Sequence, residues 1–312
     1  MIYGRDFLTL LDFSPEEIRY LVDLSIRFKE GKVSLAKTDI QGKVVGLFFE
    51  KPSTRTRLSL EVACHQLGLK PIYVSATTTQ LVRGEPIEDF ARVVDRYVDV
   101  ITARVYSHRT LEIMAKHAKA PVINALSDLY HPLQAIADFM TIKEKLNRLE
   151  DIKICFVGDT DNNVAHSLAI GAVKLGLEIR LLGPKQYWPG KTFIGKLEDL
   201  SKDTGGKVIV TDILEKGVKD VDVVYTDVWV SMGQEEEREK RLKIFRKYQV
   251  GKELVALASP EYIFMHCLPR HKGEEVSDEV FESEHSVVFD QAENRLHSAK
   301  AVLALILSKE KL

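Results

Sequence analysis

The chain has 312 residues, which is more than a single hydrophobic core usually organises, so its length favours two domains. A formal net charge of −2 gives no overall field that would attract nucleic acid or an acidic membrane, and neither is expected as a partner. No apolar run approaches membrane-spanning length, and the N-terminus lacks a signal-peptide layout. The three cysteines, Cys64, Cys155 and Cys267, leave an odd thiol under any disulfide scheme, which favours a reducing cytoplasm.

Strand-like and helix-like patterns alternate in the first half of the chain, as they do in α/β folds with largely parallel sheets. Ser14 and Glu17 form a capping box around Pro15, which predicts the start of a helix. The predicted elements are, in chain order, a helix from 15 to about 29, a strand over 43–49, a helix over 57–67 closed by Gly68, strands over 98–103 and 121–124, and a long helix that begins at 131–132 and ends near 149.

A charged break at residues 147–151 separates this half from a second alternating series. We therefore predict two doubly wound α/β domains, each with a mainly parallel sheet flanked by helices, linked by the long interdomain helix and by a C-terminal helix. The first domain comprises residues 1–150 joined by about 294–312, and the second comprises 151–293. Strands of the second domain are predicted at 152–157, 178–182, 207–210, 221–225, 262–265 and 286–289, and an amphipathic segment at 294–308 is expected to return to the first domain.

The turn at residues 51–57 places hydroxyls, guanidinium groups and unpaired backbone donors where a strand gives way to a helix. An anion seated over Ser53 to Thr56 would gain several hydrogen bonds and the positive end of the helix dipole, and Arg55 could add a bidentate contact. The alternative is that Ser53 only caps the helix and that Arg55 and Arg57 are solvated. Cations are disfavoured at this end of a helix unless an anion is bound. Since the spacing of a nucleoside-triphosphate loop is absent, a small anion is expected.

Ligands of open α/β sheets collect beyond the carboxyl ends of the strands, so polar residues that follow each predicted strand are candidates for a site. The first-half residues suit a phosphate and a carbonyl group, and the second-half residues suit an amino acid. Each residue taken alone also has a structural explanation, as a helix cap for His131 or Asn163 and as a turn former for Asp227. The candidates are 53–57, Arg104, His131 and Gln134 in the first half, and 159–163, 227–233 and 266–270 in the second.

Five of these segments together resemble the carbamoyltransferases, and among them the ornithine-specific members most closely. The resemblance runs almost from end to end of the chain. The segments are S-T-R-T-R at 53–57, H-P-L-Q at 131–134, G-D-T-D-N-N at 158–163, D-V-W-V-S-M-G at 227–233 and H-C-L-P at 266–269. The D-V-W-V-S-M-G and H-C-L-P motifs are the more discriminating, because aspartate-specific members lack them.

The resemblance implies direct attack of the ornithine δ-amine on carbamoyl phosphate, without a cofactor or a metal. Catalytic roles are implied for Arg55, Arg104, His131, Asp227 and Cys267. The implied carbamoyl-phosphate ligands are Ser53, Thr54, Arg55, Thr56, Gln80, Arg104, His131, Gln134, Cys267, the Leu268 backbone and Arg295. The implied ornithine ligands are Asp227, Ser231, Met232 and one asparagine of the 158–163 turn, for which Asn163 is preferred to Asn162. Arg57, Cys64 and Cys155 are interpreted as structural.

Residues 77–86 resemble a loop through which a family member reaches into the site of a neighbouring subunit, with Gln80 as the contributing residue. A homotrimer, or a higher assembly of trimers, is therefore implied. Aspartate-specific members place a substrate-binding lysine in this loop, and no lysine lies between Gln80 and Pro86.

Other enzyme classes fit the sequence less well. A cysteine-dependent phosphatase needs an arginine six residues after its nucleophile, and Gly273 occupies that position relative to Cys267. A nicotinamide dehydrogenase needs G-x-G-x-x-G after a strand, which the chain lacks. Transfer to putrescine, lysine or an acylated ornithine remains the nearest alternative activity, with a non-catalytic homologue as the alternative outside enzymes. The physiological direction of the reaction is left open.

Overall fold

The computed structural model describes residues 2–33, 39–230 and 235–310. The chain divides into two compact units, of which the first comprises Met1–Met140 with Glu293–Leu312 and the second comprises Thr141–Ala292. Both divisions fall within helices. Across the described ranges, no helix is long and apolar enough to cross a membrane.

The first unit is built on a four-stranded parallel sheet in the order β2-β1-β3-β4. Its chain order reverses between β1 and β3, which is the topological switch of a doubly wound sheet. The elements up to the first division are α1 (Pro15–Lys29), β1 (Val44–Phe49), α2 (Thr54–Leu67), β2 (Lys70–Ser75), α3 (Ile87–Val94), β3 (Val100–Arg104), α4 (His108–His117), β4 (Val122–Leu126) and α5 (Pro132–Leu146).

The second unit contains a five-stranded parallel sheet in the order β7-β6-β5-β8-β9, with its switch between β5 and β8. The remaining elements are β5 (Lys153–Val157), α6 (Asn163–Lys174), β6 (Glu178–Leu182), α7 (Lys191–Thr204), β7 (Lys207–Thr211), α8 (Leu214–Val218), β8 (Val223–Thr226), α9 (Arg238–Phe245), α10 (Lys252–Val255), β9 (Ile263–His266), α11 (Asp278–Phe281) and α12 (Val288–Leu307).

The α/β class with two parallel sheets, predicted from alternation in the sequence, is confirmed by this topology. The capping box is also confirmed, since Ser14 accepts from the Glu17 N–H and Glu17 accepts from the Ser14 N–H. Gly68 ends α2 at φ 74°, a left-handed conformation that glycine adopts without steric cost.

One strand assignment was wrong, and one strand was missed. Residues 286–289 form only an isolated bridge, in which Phe264 bonds to His285 and Val287, and α12 then begins at Val288. A short apolar run fits a strand or a buried helix equally well, and here helix periodicity prevails. Strand β2 was not predicted, because Pro71 interrupts its pattern. An edge strand tolerates proline, and β2 lies at the edge of its sheet.

Three helix boundaries also differ from the sequence prediction. Helix α2 begins at Thr54, three residues before the predicted start at 57. Helix α5 ends at Leu146, three residues before the predicted end near 149. Helix α12 begins at Val288, six residues before the predicted start at 294.

Candidate active site

The turn after β1 lies at the switch point of the first sheet, where ligands of doubly wound folds bind. Ser53 is the N-cap of α2, and its hydroxyl accepts a hydrogen bond of 3.3 Å from the Thr56 N–H. The structural role considered for Ser53 is therefore present. A 14-residue helix begins here with arginines rather than acidic residues in its first turn, so the turn also keeps the features of an anion site.

Arg55 and Arg57 have different surroundings. The Arg57 Nε donates to Glu61 over 3.0 Å, and its guanidinium lies 3.7 Å from the centre of the Tyr73 ring. Arg55 is half-buried, and among the described residues its side chain has no hydrogen-bond or ion-pair partner. Within the described part of the chain, Arg55 is thus a cation at the positive end of a helix without a protein counter-charge. An anionic ligand would supply that charge.

A buried hydrogen-bond chain connects three elements of the first unit. Arg295 on α12 donates to the Thr56 hydroxyl over 3.3 Å and to the Gln134 Oε1 over 2.6 Å. The amide nitrogen of Gln134 donates in turn to Asp138 over 2.8 Å. The predicted residues Thr56, Gln134 and Arg295 are therefore together, although Arg295 is 161 residues from Gln134. Asp138 was not selected from the sequence.

His131 and Arg104 are both buried, at the start of α5 and the end of β3. Burial, followed by the charges of Arg295 and Arg104, holds the pKa of His131 well below its usual value. His131 is therefore a neutral imidazole near pH 7. A bulge between Ala103 and Arg104 interrupts the pairing of β3 with β4, a device that re-aims side chains at strand ends.

Lys51 is a cation that was not selected from the sequence. Its side chain is buried, with the ammonium 4.5 Å from the centre of the Tyr106 ring. Burial and the charge of Arg104 lower its pKa. The sequence feature that could have identified Lys51 as a site residue is its position in the 51–57 turn. Gln80 lies in a short 3₁₀ helix, Gln80–Arg83, and is exposed.

The switch point of the second sheet lies between the turn after β5 and Asp227 after β8. Asn162 caps α6, with its side-chain oxygen accepting from the N–H groups of Val164 and Ala165 at 2.9 and 2.8 Å. Its amide nitrogen donates to the Asp159 carbonyl over 2.9 Å. Because Asn162 is occupied as a cap, Asn163 stays the preferred candidate for a ligand contact.

Asp227 is a buried carboxylate, and its Oδ1 accepts from the Val228 N–H over 2.8 Å and from the Cys267 thiol over 3.1 Å. Within the described ranges, no lysine or arginine pairs with it. Burial raises its pKa by more than His266 and the two hydrogen bonds lower it. A ligand ammonium would provide the missing cation and favour the ionised carboxylate.

The H-C-L-P segment is held by buried hydrogen bonds. The Leu268 N–H donates to His266 Nδ1 over 2.8 Å, so the imidazole proton lies on Nε2, which is 3.0 Å from Glu275 Oε1. The His266 N–H donates to Gln291 over 2.9 Å. Leu268 itself has φ 58°, a left-handed conformation that a branched side chain adopts only when the surroundings impose it. These contacts fix the direction of the Cys267 side chain and the Leu268 carbonyl.

A buried ion pair connects two turns at the switch point of the second sheet. Arg241 on α9 forms an ion pair with Asp159 and donates to the Trp229 carbonyl, so it joins the 158–163 turn to the segment after β8. This pair was not predicted from the sequence, in which its members are 82 residues apart. Ser231 and Met232, predicted to bind ornithine, lie outside the described residues.

Two groups in the described part of the chain have the composition of a metal site, Asp227 with His266 and Cys267, and His271 with Glu274 and Glu275. In the first group both histidine nitrogens are already engaged by Leu268 and Glu275. A metal there would have to break bonds that hold the H-C-L-P segment.

The chain matches two domain models of one protein family, which together cover most of its length. "Aspartate/ornithine carbamoyltransferase, carbamoyl-P binding domain" matches residues 5–144, and "Aspartate/ornithine carbamoyltransferase, Asp/Orn binding domain" matches residues 150–306. An ornithine carbamoyltransferase of Ignicoccus hospitalis is 52% identical over 306 residues, which cover 97% of this chain and 98% of the relative. The solved structure of ornithine carbamoyltransferase from Pyrococcus furiosus has a TM-score of 0.93 at 50% identity and covers 99% of each chain. An anabolic ornithine carbamoyltransferase of the same organism is 51% identical over 305 residues, which cover 97% of this chain and 96% of the relative.

Proposed function

Because the chain belongs to the aspartate/ornithine carbamoyltransferase family, we propose that it transfers the carbamoyl group of carbamoyl phosphate to the δ-amine of L-ornithine. The products are L-citrulline and phosphate. The neutral amine attacks the carbonyl carbon, and the tetrahedral intermediate collapses as the bond to the phosphate oxygen breaks. The amine loses one proton overall, and the leaving phosphate retains the electron pair of the broken bond.

The first unit supplies the carbamoyl-phosphate ligands in this proposal. Ser53 to Thr56 offer helix N–H groups and hydroxyls to the phosphate, and Arg55 neutralises the charge that grows on the leaving oxygen. Arg104 and neutral His131 donate to the carbonyl oxygen, which becomes negative in the intermediate. Support for His131 as a donor comes from its lowered pKa, because a neutral imidazole keeps one N–H.

Gln134 and Arg295 have different roles in the carbamoyl-phosphate site that we propose. Arg295 holds the Thr56 hydroxyl and the Gln134 oxygen, so it fixes the phosphate turn relative to the start of α5. Gln134 Oε1 has a second lone pair, which we assign to the carbamoyl NH₂. The Leu268 carbonyl and Gln80 stay proposed ligands on the ground of the family resemblance.

The environment of Asp227 is the main support for ornithine as the carbamoyl acceptor. A buried carboxylate without a cationic side chain suits a substrate that brings its own ammonium. Cys267 occupies Oδ1 of Asp227, which leaves Oδ2 to orient the δ-amine and to favour its proton loss. In this mechanism the Cys267 thiol positions Asp227 through its hydrogen bond to Oδ1. Cys267 can accept the amine proton only as a thiolate, that is, after its own proton has left. Asn163, Ser231 and the Met232 backbone are the proposed ligands of the α-amino and α-carboxylate groups.

We propose a homotrimer, or an assembly of trimers, because the exposed Gln80 lies in the loop that resembles an intersubunit element. The buried thiols Cys64 and Cys155 and the absence of any disulfide among the described residues agree with a cytoplasmic location. The anabolic designation of the Pyrococcus furiosus relative favours arginine synthesis as the direction.

The proposal is tested by following both products in wild type and in Asp227→Asn. Wild type should form citrulline and phosphate in equal amounts. Asp227→Asn should lose most ornithine turnover, because the neutral amide cannot promote proton loss from the δ-amine as the carboxylate does, yet keep its affinity for carbamoyl phosphate by calorimetry. Phosphate release without citrulline in wild type would exclude carbamoyl transfer. Loss of carbamoyl-phosphate affinity in a folded Asp227→Asn protein would contradict the proposal that Asp227 serves ornithine and not carbamoyl phosphate.

A further inference from the structure

The turn that follows the H-C-L-P segment brings three potential metal ligands together. The Glu274 N–H donates to the His271 carbonyl over 3.0 Å, and Gly273 takes φ 79° between them. A turn of this kind places its first and fourth residues close in space, and Glu275 follows directly. One ligand atom from each of His271, Glu274 and Glu275 lies within 4.8 Å of the others.

Among the described residues, one side-chain atom of each member of this cluster has no hydrogen-bond partner. These atoms are His271 Nδ1, Glu274 Oε2 and Glu275 Oε2, and all three are shielded from solvent. The whole Glu275 side chain is 0% exposed. A buried polar atom left without a partner costs about 1–3 kcal/mol, and here each of the three clustered residues has one such atom.

The spacing of one pair of these atoms is compatible with a shared metal ion. His271 Nδ1 and Glu274 Oε2 are 3.5 Å apart, which is longer than a direct hydrogen bond between a ring nitrogen and a carboxylate. Zinc holds nitrogen and oxygen ligands at about 2.0–2.2 Å, so two ligands of a tetrahedral ion lie roughly 3.3–3.5 Å apart. The separation of this one pair matches that of neighbouring ligands, and the candidate ligand atoms of all three residues lie within 4.8 Å of one another.

The outer oxygens of both carboxylates are already satisfied. Glu274 Oε1 pairs with Arg238, and Glu275 Oε1 accepts from His266 Nε2 at 3.0 Å and from the His271 N–H at 2.8 Å. These contacts leave Oε2 of each carboxylate as the oxygen available to a ligand. They also fix the ligands before a metal arrives, as the outer contacts of metal sites do.

We propose that His271, Glu274 and Glu275 bind one divalent cation of the zinc type, with a water molecule as the fourth ligand. A mixed set of imidazole and carboxylates suits zinc, whereas magnesium and calcium prefer oxygen ligands alone. Since Glu275 also holds His266, the ion would brace the turn against the H-C-L-P segment. The site is independent of the proposed carbamoyl transfer, which needs no metal.

The test is zinc binding to the metal-free, full-length protein by equilibrium dialysis and by thermal unfolding. Wild type should bind one Zn²⁺ per chain and unfold at a higher temperature with zinc present. His271→Asn combined with Glu274→Gln should weaken zinc binding at least about tenfold and abolish the thermal shift, since direct ligands matter no less than the groups that orient them. Circular dichroism of the metal-free variant should match wild type, which separates lost binding from lost folding.

Cys267→Ala is the matched control, because it removes the thiol from the competing group of Asp227, His266 and Cys267. It should bind zinc as wild type does, and Co²⁺ in the wild-type site should lack a thiolate charge-transfer band. The proposal is overturned if wild type binds no zinc. It is equally overturned if binding is lost in Cys267→Ala and kept in the His271 and Glu274 variant.

Discussion

Arg55 and Arg57 lie two residues apart in the first turn of α2, yet only Arg57 has protein partners among the described residues. Arg55→Ala should therefore lower kcat with little effect on the ornithine KM, because the guanidinium acts on charge that develops on the leaving phosphate. Loss of one such preorganised contact costs about 3 kcal/mol in the transition state. Steady-state kinetics of the purified variant measure this effect.

Arg57→Ala is the control for that experiment. It removes an equal charge from the same helix turn, but a charge that Glu61 and Tyr73 already engage. Its kcat should stay near that of wild type. If the two variants lost the same activity, net charge at the helix start would explain the result and Arg55 would have no specific role.

His131 predicts a pH dependence whose sign follows from its lowered pKa. The unfolded chain takes up a proton on this residue near its ordinary value of about 6.5, whereas the folded chain does not. The free energy of unfolding should thus fall as pH drops through about 6.5, and it should fall less in His131→Asn. Urea titrations of both proteins between neutral and mildly acidic pH measure the difference, and equal slopes would contradict a buried neutral His131.

At the scale of elements, the turn after β5 depends on a close approach to the end of β6. A Cβ at Gly183 would lie 2.1 Å from the Gly158 carbonyl oxygen, so an alanine there must displace the turn that contains Asp159 and Asn163. Gly183→Ala should cost about 1–3 kcal/mol of stability, in the range of overpacked sites, and raise the ornithine KM. Chemical denaturation and ornithine kinetics provide the two measurements.

Gly195→Ala is the matched substitution within α7. A Cβ at Gly195 meets no atom within 4 Å, so it should stabilise the helix by about 0.5–1 kcal/mol and leave the ornithine KM unchanged. Similar behaviour of the two variants would show that the approach at Gly183 does not constrain the turn.

The elements that the sequence predicted well are those with strong local signals. The capping box at Ser14, the Gly68 cap and the continuous apolar run before residue 50 each follow from chemistry within a few residues. Strand β2 and the false strand at 286–289 lacked such signals, because edge position and competition with a helix depend on the rest of the fold. A single sequence does not specify those long-range relations.

The same limit applies to the candidate site. Arg55, His131 and Asp227 could be selected because each follows a strand and has the chemistry of its expected ligand. The supports were not predictable in this way. Arg241 reaches Asp159 across 82 residues, and Glu275 meets His266 through a turn of irregular conformation. Such pairs become visible only once the strands are ordered.

At the scale of the whole molecule, the trimer proposal predicts shared sites. If Gln80 serves a neighbouring subunit, Gln80→Ala and Arg55→Ala homotrimers should both be feeble. A mixed trimer, however, contains sites that combine Arg55 from one subunit with Gln80 from another. Activity should therefore reappear after reversible dissociation and mixing. Hybrid trimers verified by mass that remain at the weighted activity of their parents would assign Gln80 to its own subunit or to no site.

The central claim is that ornithine is the acceptor of the carbamoyl group, and a steady-state comparison of acceptors tests it most directly. Ornithine, putrescine, lysine and aspartate should be compared at saturating carbamoyl phosphate, with each carbamoylated product identified. We predict the highest kcat/KM for ornithine, with citrulline as the product. Putrescine should be poorer because it lacks the α-carboxylate group, and aspartate should be inactive because Asp227 repels its side-chain carboxylate. A higher kcat/KM for putrescine, lysine or aspartate than for ornithine would contradict the claim.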